Sequence, residues 1–386
     1  MDVRKKKIIN KLNKFGEYDL DNNTLIIYDL SKLIDADNIF NFSIEMAKYK
    51  DLFDKEFSMV FDNCLFNFSN NPDNYYINLR HVADKISFKN CNFTNASYMV
   101  FLNDACFINC NFYSDIFVNG LNIKFDGCSF YNSSFLNAMA EHILFNKDKF
   151  NSGTSIRMTG IPKIEFKNSI FDSDSIILED IRGAEIISSR IVSDILKAYS
   201  SRIRITDTDI LSCNVSMSDA DMCVNNCSIN SNSFIFEGDY FELDECLFYG
   251  DEICIDNSTI TSICSSVITG KSICLKSPYF SIDKMSKICS DNAYLEVNVR
   301  PYKKIDSNNL KVKNVIINDN IITSNDGKYV DISLIEPRNN LIAVLKQIRD
   351  NSNEKIETLS REYEDSIKHS FTVSDIENIK VLKKKK

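Results

Sequence analysis

Arg202-Ile-Arg204-Ile-Thr-Asp207-Thr-Asp209 is the stretch of this chain best equipped for catalysis, with two carboxylates two residues apart and two guanidiniums beside them. Sugar-cleaving chemistry needs clustered carboxylates as acid and base, or carboxylates that hold calcium beside a basic residue. In an extended chain the same two aspartates also read as ordinary outward positions. Cys106/Cys110 and Cys223/Cys227 have a four-residue spacing that could suit zinc, but none of the 3 histidines, at 81, 142 and 369, lies near either pair. The expectation is no metal, no cofactor and no catalytic residue. A third group is Glu237 to Asp256, where Asp244, Glu245, Asp251 and Glu252 stand among further carboxylates without one Lys or Arg. On stacked strands such residues could form a negative strip for a basic partner, or they could be a solvated face. With 10 Gly in 386 residues, no Walker motif and no nucleophile elbow, phosphate-cradling and serine-hydrolase chemistry have little to work with.

What positions these groups is a repeat. An apolar residue, two polar residues, a small residue, a variable residue and a second apolar residue recur about every 19 to 20 positions from 61 to 268. The phrase reads Phe61-Asp-Asn-Cys64-Leu-Phe66, Phe88-Lys-Asn-Cys91-Asn-Phe93 and Phe107-Ile-Asn-Cys110-Asn-Phe112, and later Ile205-Thr-Asp-Thr208-Asp-Ile210 and Leu243-Asp-Glu-Cys246-Leu-Phe248. A fixed period of this length marks a solenoid, whose repeats bury apolar surface only against their neighbours. Within it, Phe166, Phe171, Ile176, Ile181, Ile186, Ile191 and Leu196 recur every five residues. Neither a helix nor a flat strand gives a step of five. A chain turning a corner after each short extended segment does, with one inward side chain per side and four sides to a coil of 20. The small position has room only for Cys, Ser, Thr or Ala, and free Cys packs as a small hydrophobe. The Asn before it is expected to stack in an amide ladder.

These blocks resemble the pentapeptide-repeat family of right-handed quadrilateral β-helices. Cys91-Asn-Phe93-Thr-Asn followed by Ala96-Ser-Tyr98, and Cys128-Ser-Phe130-Tyr-Asn followed by Ser133-Ser-Phe135, are similar to that family's small-polar-apolar-x-x units. The resemblance covers half the chain. Some members protect or inhibit DNA gyrase by mimicking DNA, so it implies that reading for the acidic cluster. The chain departs from the pattern: Phe107 to Phe125 spans 18 positions, Phe88 to Phe107 spans 19 and Phe145 to Phe166 spans 21, Leu is not the usual central residue, and Gly is scarce. A three-sided right-handed parallel β-helix therefore stays open. Parallel β-helices include polysaccharide lyases and hydrolases, and the Asp207 stretch superficially resembles the Asn-Thr-Asp element of pectin-degrading hydrolases, with Thr206 in the place of Asn. Their Gly-His-Gly and Arg-Ile-Lys elements are absent.

The expected organisation is an N-terminal capping region of mixed helix and strand over 1–55, the β-helix over 56–300, terminal strands or a hairpin over 301–336, and a helical tail over 337–386. Solenoids need such caps to cover their open ends. In the tail, Ile356, Leu359, Tyr363 and Ile367 have the spacing of one helical face. The 13 cysteines read as reduced packing residues of a cytoplasmic protein, and no apolar run reaches a membrane span of about 18 residues. A net charge of −9 argues against a generally nucleic-acid-binding surface. The expectation is a non-enzymatic binding scaffold or assembly subunit. Its partner is a protein, or a second copy met through the C-terminal helices. The Asn-, Ile- and Lys-rich composition suits an AT-rich bacterium, phage or mobile element, which admits a role in bacterial immunity or a phage-encoded factor. A DNA-mimicking regulator and a carbohydrate-active enzyme or adhesin are the alternatives.

Overall fold

The computed structural model describes residues 57–299 except 67–75, 80–82, 95–97, 101–103, 133, 201 and 284. It also describes strands 310–317 and 320–323 and, near the start, residues 6–7, 9–10, 13, 16–19 and 21–28. Residues 1–333 form one compact unit. The second unit, 334–386, lies outside the described residues, and with it the expected helical tail.

The chain is an all-β solenoid in which each coil contributes to three parallel ladders. The first ladder runs through Ser58–Asp62, Lys85–Lys89, Asp104–Ile108, Asn122–Asp126, His142–Asn146, Lys163–Lys167, Gly183–Ile187 and Arg202–Thr206. The second is built from two-residue strands such as Asn92–Phe93, Asn111–Phe112 and Ser129–Phe130. The third runs through Tyr98–Val100, Ile116–Asn119, Ser134–Met139 and Ser155–Thr159. From Ile170 onward the second and third sides join in longer strands, but their pairings keep the same three groups. Thr24–Ile27, paired antiparallel with Glu17–Asp19, adds to the start of the first ladder. Leu310–Ile317 extends the stack past the expected boundary at 300, then pairs antiparallel with Asn320–Thr323. The rest of the expected terminal strands or hairpin, 324–336, lies outside the described residues.

Three sides correct the four-sided expectation, and the inward residues show why a step of five arose. Across one coil, Ile164, Phe166, Ser169, Phe171, Ser173, Ile176, Leu178 and Ile181 are buried. Steps of two belong to the alternation within a strand; steps of three mark the corners. Two plus three gives five, so a sequence of corners mimics a pentapeptide. Four sides with one inward residue each would leave Ser173 and Leu178 facing out, whereas both are buried.

Two columns of stacked phenylalanines fill the first coils. Phe61, Phe88, Phe107, Phe125, Phe145 and Phe166 form one and Phe66, Phe93, Phe112, Phe130, Phe150 and Phe171 the other. Neighbours within a column are near-parallel at 4.5 to 5.1 Å. The two columns meet edge to face, as between Phe166 and Phe171 at 5.1 Å and 81°. Aromatic quadrupoles favour this geometry over a random packing of the same volume.

The first corner, between the first and second sides, explains the small position and the Asn before it. Asn63, Asn90, Asn109, Asn168 and Asn226 all have φ between 49° and 55°, the left-handed region that Asn tolerates better than most residues. This conformational demand, more than an amide ladder, places them there. Asn226 Nδ2 does donate to Asp207 Oδ1, its equivalent on the coil before (2.7 Å), but Asn90 and Asn168 reach diagonally to the coil before, to Asp62 and Asn146. The next residue is inward and bridges two coils. The Ser169 N–H donates to Ser189 Oγ (3.2 Å), and that hydroxyl donates to the Ile187 carbonyl (2.9 Å). Thr208, Cys227, Cys246 and Ser266 repeat the bridge. The position therefore selects for a small side chain that can also accept a backbone N–H where the ladders break.

Only six cysteines follow it: Cys64, Cys91, Cys110, Cys128, Cys227 and Cys246 are buried here as free thiols. Cys106, Cys213, Cys223, Cys254, Cys264, Cys274 and Cys289 are half-buried or exposed, which corrects the reading of the cysteines as chiefly core residues. Hydrogen bonding to neighbouring thiols, together with burial, pushes the Cys64 and Cys110 thiols up. Ser189→Ala should cost about 1–3 kcal/mol in urea unfolding, because it strands the buried Ser169 N–H. Ser189→Cys, which restores the bridge seen at Cys227, should stay within about 1 kcal/mol of the parent. Equal losses for the two would mean that volume alone sets the position.

Candidate functional site

The second corner, between the second and third sides, turns on another row of small inward residues. Ser173 pairs with Ser193, Ser193 with Ser212 and Ser212 with Ser231; the row goes on through Gly250, Gly270 and Ser290. A Cβ on Gly250 would meet Ile253 Cγ1 at 2.9 Å and the Ser231 carbonyl oxygen at 3.1 Å, so nothing larger fits. With so little inside the bend, the outward residues on either side stand up as walls. Two concavities of about 400 and 360 Å³ lie along the corner, and Asn230 and Asn232 line both, so they form one groove crossing successive coils.

One wall carries Asp172, Val192, Leu211, Asn230, Tyr249 and Thr269; the other carries Asp174, Asp194, Cys213, Asn232, Asp251 and Lys271. Leu211 and Tyr249 are 50% and 44% exposed, large apolar surfaces left open beside carboxylates and amides. Lys271 pairs with Asp251 at 2.8 Å, an exposed ion pair that contributes little stability. The coil before Asp172 makes a turn at this corner: the Thr154 N–H donates to the Asn151 carbonyl (3.1 Å), and Gly153 has φ 81°. The Gly153 N–H in turn donates to Asp174 Oδ1 at 3.1 Å and fixes that carboxylate.

Among the described residues singled out in the sequence, Asp251 alone lines this groove. Asp244 ends the first side and accepts a hydrogen bond from Asn225 Nδ2 (3.1 Å), and Glu245 follows at the first corner with φ 53°. Glu252 opens the third side, in register with Ser233. The four carboxylates are thus distributed over two corners of the coil. Asp207 is itself a first-corner residue, with φ 51°, while Asp209 sits on the second side between Arg190 and Ser228. Cys106 lies on the outer face of the first ladder and Cys110 inside it, so a strand separates the two thiols; Cys223 and Cys227 are divided the same way. Among the described residues no group of three or more His, Cys, Asp or Glu side chains is placed to hold a metal. Ile356, Leu359, Tyr363 and Ile367 lie outside the described residues.

Two features escaped sequence reasoning. The second small row had a signal of its own, an apolar residue, any residue, then Ser or Gly: Phe171-Asp-Ser173, Ile191-Val-Ser193, Phe248-Tyr-Gly250. The other is Glu165, nearly buried on the outer face of the first ladder. It accepts from Lys163 Nζ (2.6 Å) and Lys167 Nζ and faces His142 Nε2 (3.0 Å). Burial alone would raise its carboxyl, but the hydrogen bonds and charges of the two lysines hold it at about 2. Two lysines on one carboxylate leave the cluster net positive, with both Glu165 oxygens already engaged. Comparison with protein-family models, with curated proteins and with solved structures finds no match to this chain.

Proposed function

We propose that this chain is a non-enzymatic β-helical scaffold that holds a protein partner along the second-corner groove. The observation that carries the proposal is the continuity of the groove: a small residue recurs on its floor in every coil from Ser173 to Ser290. A surface repeated coil after coil suits an extended ligand, which contacts many equivalent positions on a support too rigid to collapse. The exposed Leu211 and Tyr249 support a protein ligand, since aromatic and aliphatic anchors dominate protein recognition. The coil is read as right-handed, the hand that crossovers between parallel strands take in about 98% of cases. A cytoplasmic location and a second contact through the tail residues Ile356, Leu359, Tyr363 and Ile367 belong to the same proposal. Among the described residues no helix is long and apolar enough to cross a membrane.

The test is quantitative co-purification from the native host with three baits: the parent, Leu211→Lys with Tyr249→Ser, and a chain lacking 338–386. The groove variant should lose the partner that the parent retains. Retention by the groove variant with loss on tail deletion would move the contact to the tail and reject the groove.

A further inference from the structure

Cys254 and Cys274 meet on the outer face of the third side. They are register partners on adjacent parallel strands, each between two inward apolar residues: Ile253 and Ile255 on one strand, Ile273 and Leu275 on the other. Both are half-buried, neither is in a disulfide, and their thiols hydrogen-bond one another. Among the described residues no other half-buried or exposed cysteine has a cysteine for a register partner. Cys106 stands between Ser87 and Lys124, and Cys223 between Arg204 and Glu242. The row that holds the pair continues as Ile235 on the coil before and Tyr294 on the coil after, so larger side chains shelter both sulfurs along the stack. Two residues further along each strand, Lys276 Nζ pairs with Asp256 at 3.1 Å, and the lysine charge acts on both thiols. Hydrogen bonding to Cys274, with burial, pushes the Cys254 thiol up, so the pair keeps its protons until something replaces them.

We propose that Cys254 and Cys274 form a two-thiolate site for a soft monovalent cation, Cu(I), independent of the groove. Parallel strands in register lie about 4.8 Å apart with their Cβ atoms pointing the same way, whereas a disulfide needs Cβ atoms about 3.8 Å apart. An ion between the sulfurs fits the strand spacing better, since two metal–thiolate bonds of about 2.3 Å laid end to end span about 4.6 Å. Thiolates select Cu(I) over harder ions. Zn(II) takes four ligands, and among the described residues no third His, Cys, Asp or Glu is placed to join these two around a metal. Binding is a ligand exchange with no change of oxidation state. Each thiol releases its proton to water as a copper–sulfur bond forms, and the product is a bis-thiolate with one net negative charge. Lys276 stands where it offsets that charge.

The probe is Cu(I) itself, titrated without oxygen into the reduced full chain against bathocuproine disulfonate, whose colour reports the copper it holds. The parent should retain one ion more than Cys254→Ser with Cys274→Ser. Either single serine variant should weaken retention by about a hundredfold or more, because a second thiolate held in place acts at high effective concentration. Cys106→Ser with Cys223→Ser removes two half-buried thiols that are not register partners and should leave retention within about twofold. X-ray absorption of the loaded parent should show Cu(I) bound by two sulfur atoms. The serines replace thiols on an outer face and should keep the parent's melting temperature, which separates loss of the site from loss of the fold. Should the double variant fail to fold, the single variants and the spectrum decide alone. Equal retention by the parent and the Cys254/Cys274 variants overturns the site, as does an equal loss in the Cys106/Cys223 variant. A spectrum with three or four ligands overturns it too, and so does a Cys254–Cys274 disulfide formed in air by the metal-free chain, which would make the pair a redox couple.

Discussion

Asp148→Ser should stabilise the fold at pH 9 by on the order of 5 kcal/mol and flatten its stability between pH 4 and 8. Asp148 occupies the small inward position of the first corner, where the next two coils carry Ser169 and Ser189, and it is fully buried. Its oxygens accept from the N–H groups of Cys128 (2.6 Å) and Asn146 (2.9 Å). Burial pushes its carboxyl up to about 8; the two N–H bonds oppose the shift without cancelling it. The folded-state value lies above that of an unfolded aspartate, about 3.9, so the folded chain holds a proton that the unfolded chain has released. Stability from this group is fully present below about pH 4 and falls by about 1.4 kcal/mol per pH unit until the folded carboxyl ionises at about 8. Serine keeps an acceptor for Cys128 N–H and carries no charge to desolvate. Urea midpoints of the parent and variant from pH 4 to 9 measure the effect. A parent midpoint that does not change from pH 5 to 8 would show that Asp148 ionises without penalty.

Phe130→Ala should cost about 3–5 kcal/mol. Phe130 stacks on Phe112 at 4.9 Å and on Phe150 at 4.5 Å, and meets Phe125 and Phe145 edge to face at 5.6 and 6.2 Å. Removing the ring leaves a cavity walled by four others, and ladders above and below hold those walls apart, so the site cannot collapse. Because each coil rests on its neighbours, the loss should destabilise the surrounding coils more than the distant ones. Hydrogen exchange resolved along the chain would show protection falling first between the strands Asp104–Ile108 and Lys163–Lys167. Phe130→Leu, which refills part of the space, should recover more than half of the loss. A cost under about 1 kcal/mol for alanine would mean that the aromatic columns do not support the coil.

The repeat alone determined the solenoid and its core. Phe93, Cys110, Phe130, Phe171, Ile191, Ile229 and Phe248, all readable as inward from their spacing, are buried to within 1%. That success has a local cause: a strand alternates, so each residue's direction follows from its immediate neighbours. What the sequence did not determine depends on residues about 19 to 20 positions apart, and on how many corners lie between them. A step of five is compatible with four sides of one inward residue or with three sides of alternating residues, and only the ladder pairings separate them. Glu237 to Asp256 is one run in sequence, yet the corners send Asp244 and Glu245 one way and Asp251 and Glu252 another. Asp194 lines the same concavity as Asp172 and Asp174 because register stacks one coil on the next, not because the chain brings it close in sequence. Direction is set by the local backbone; neighbourhood is set by register, and register exists only once the coils have stacked.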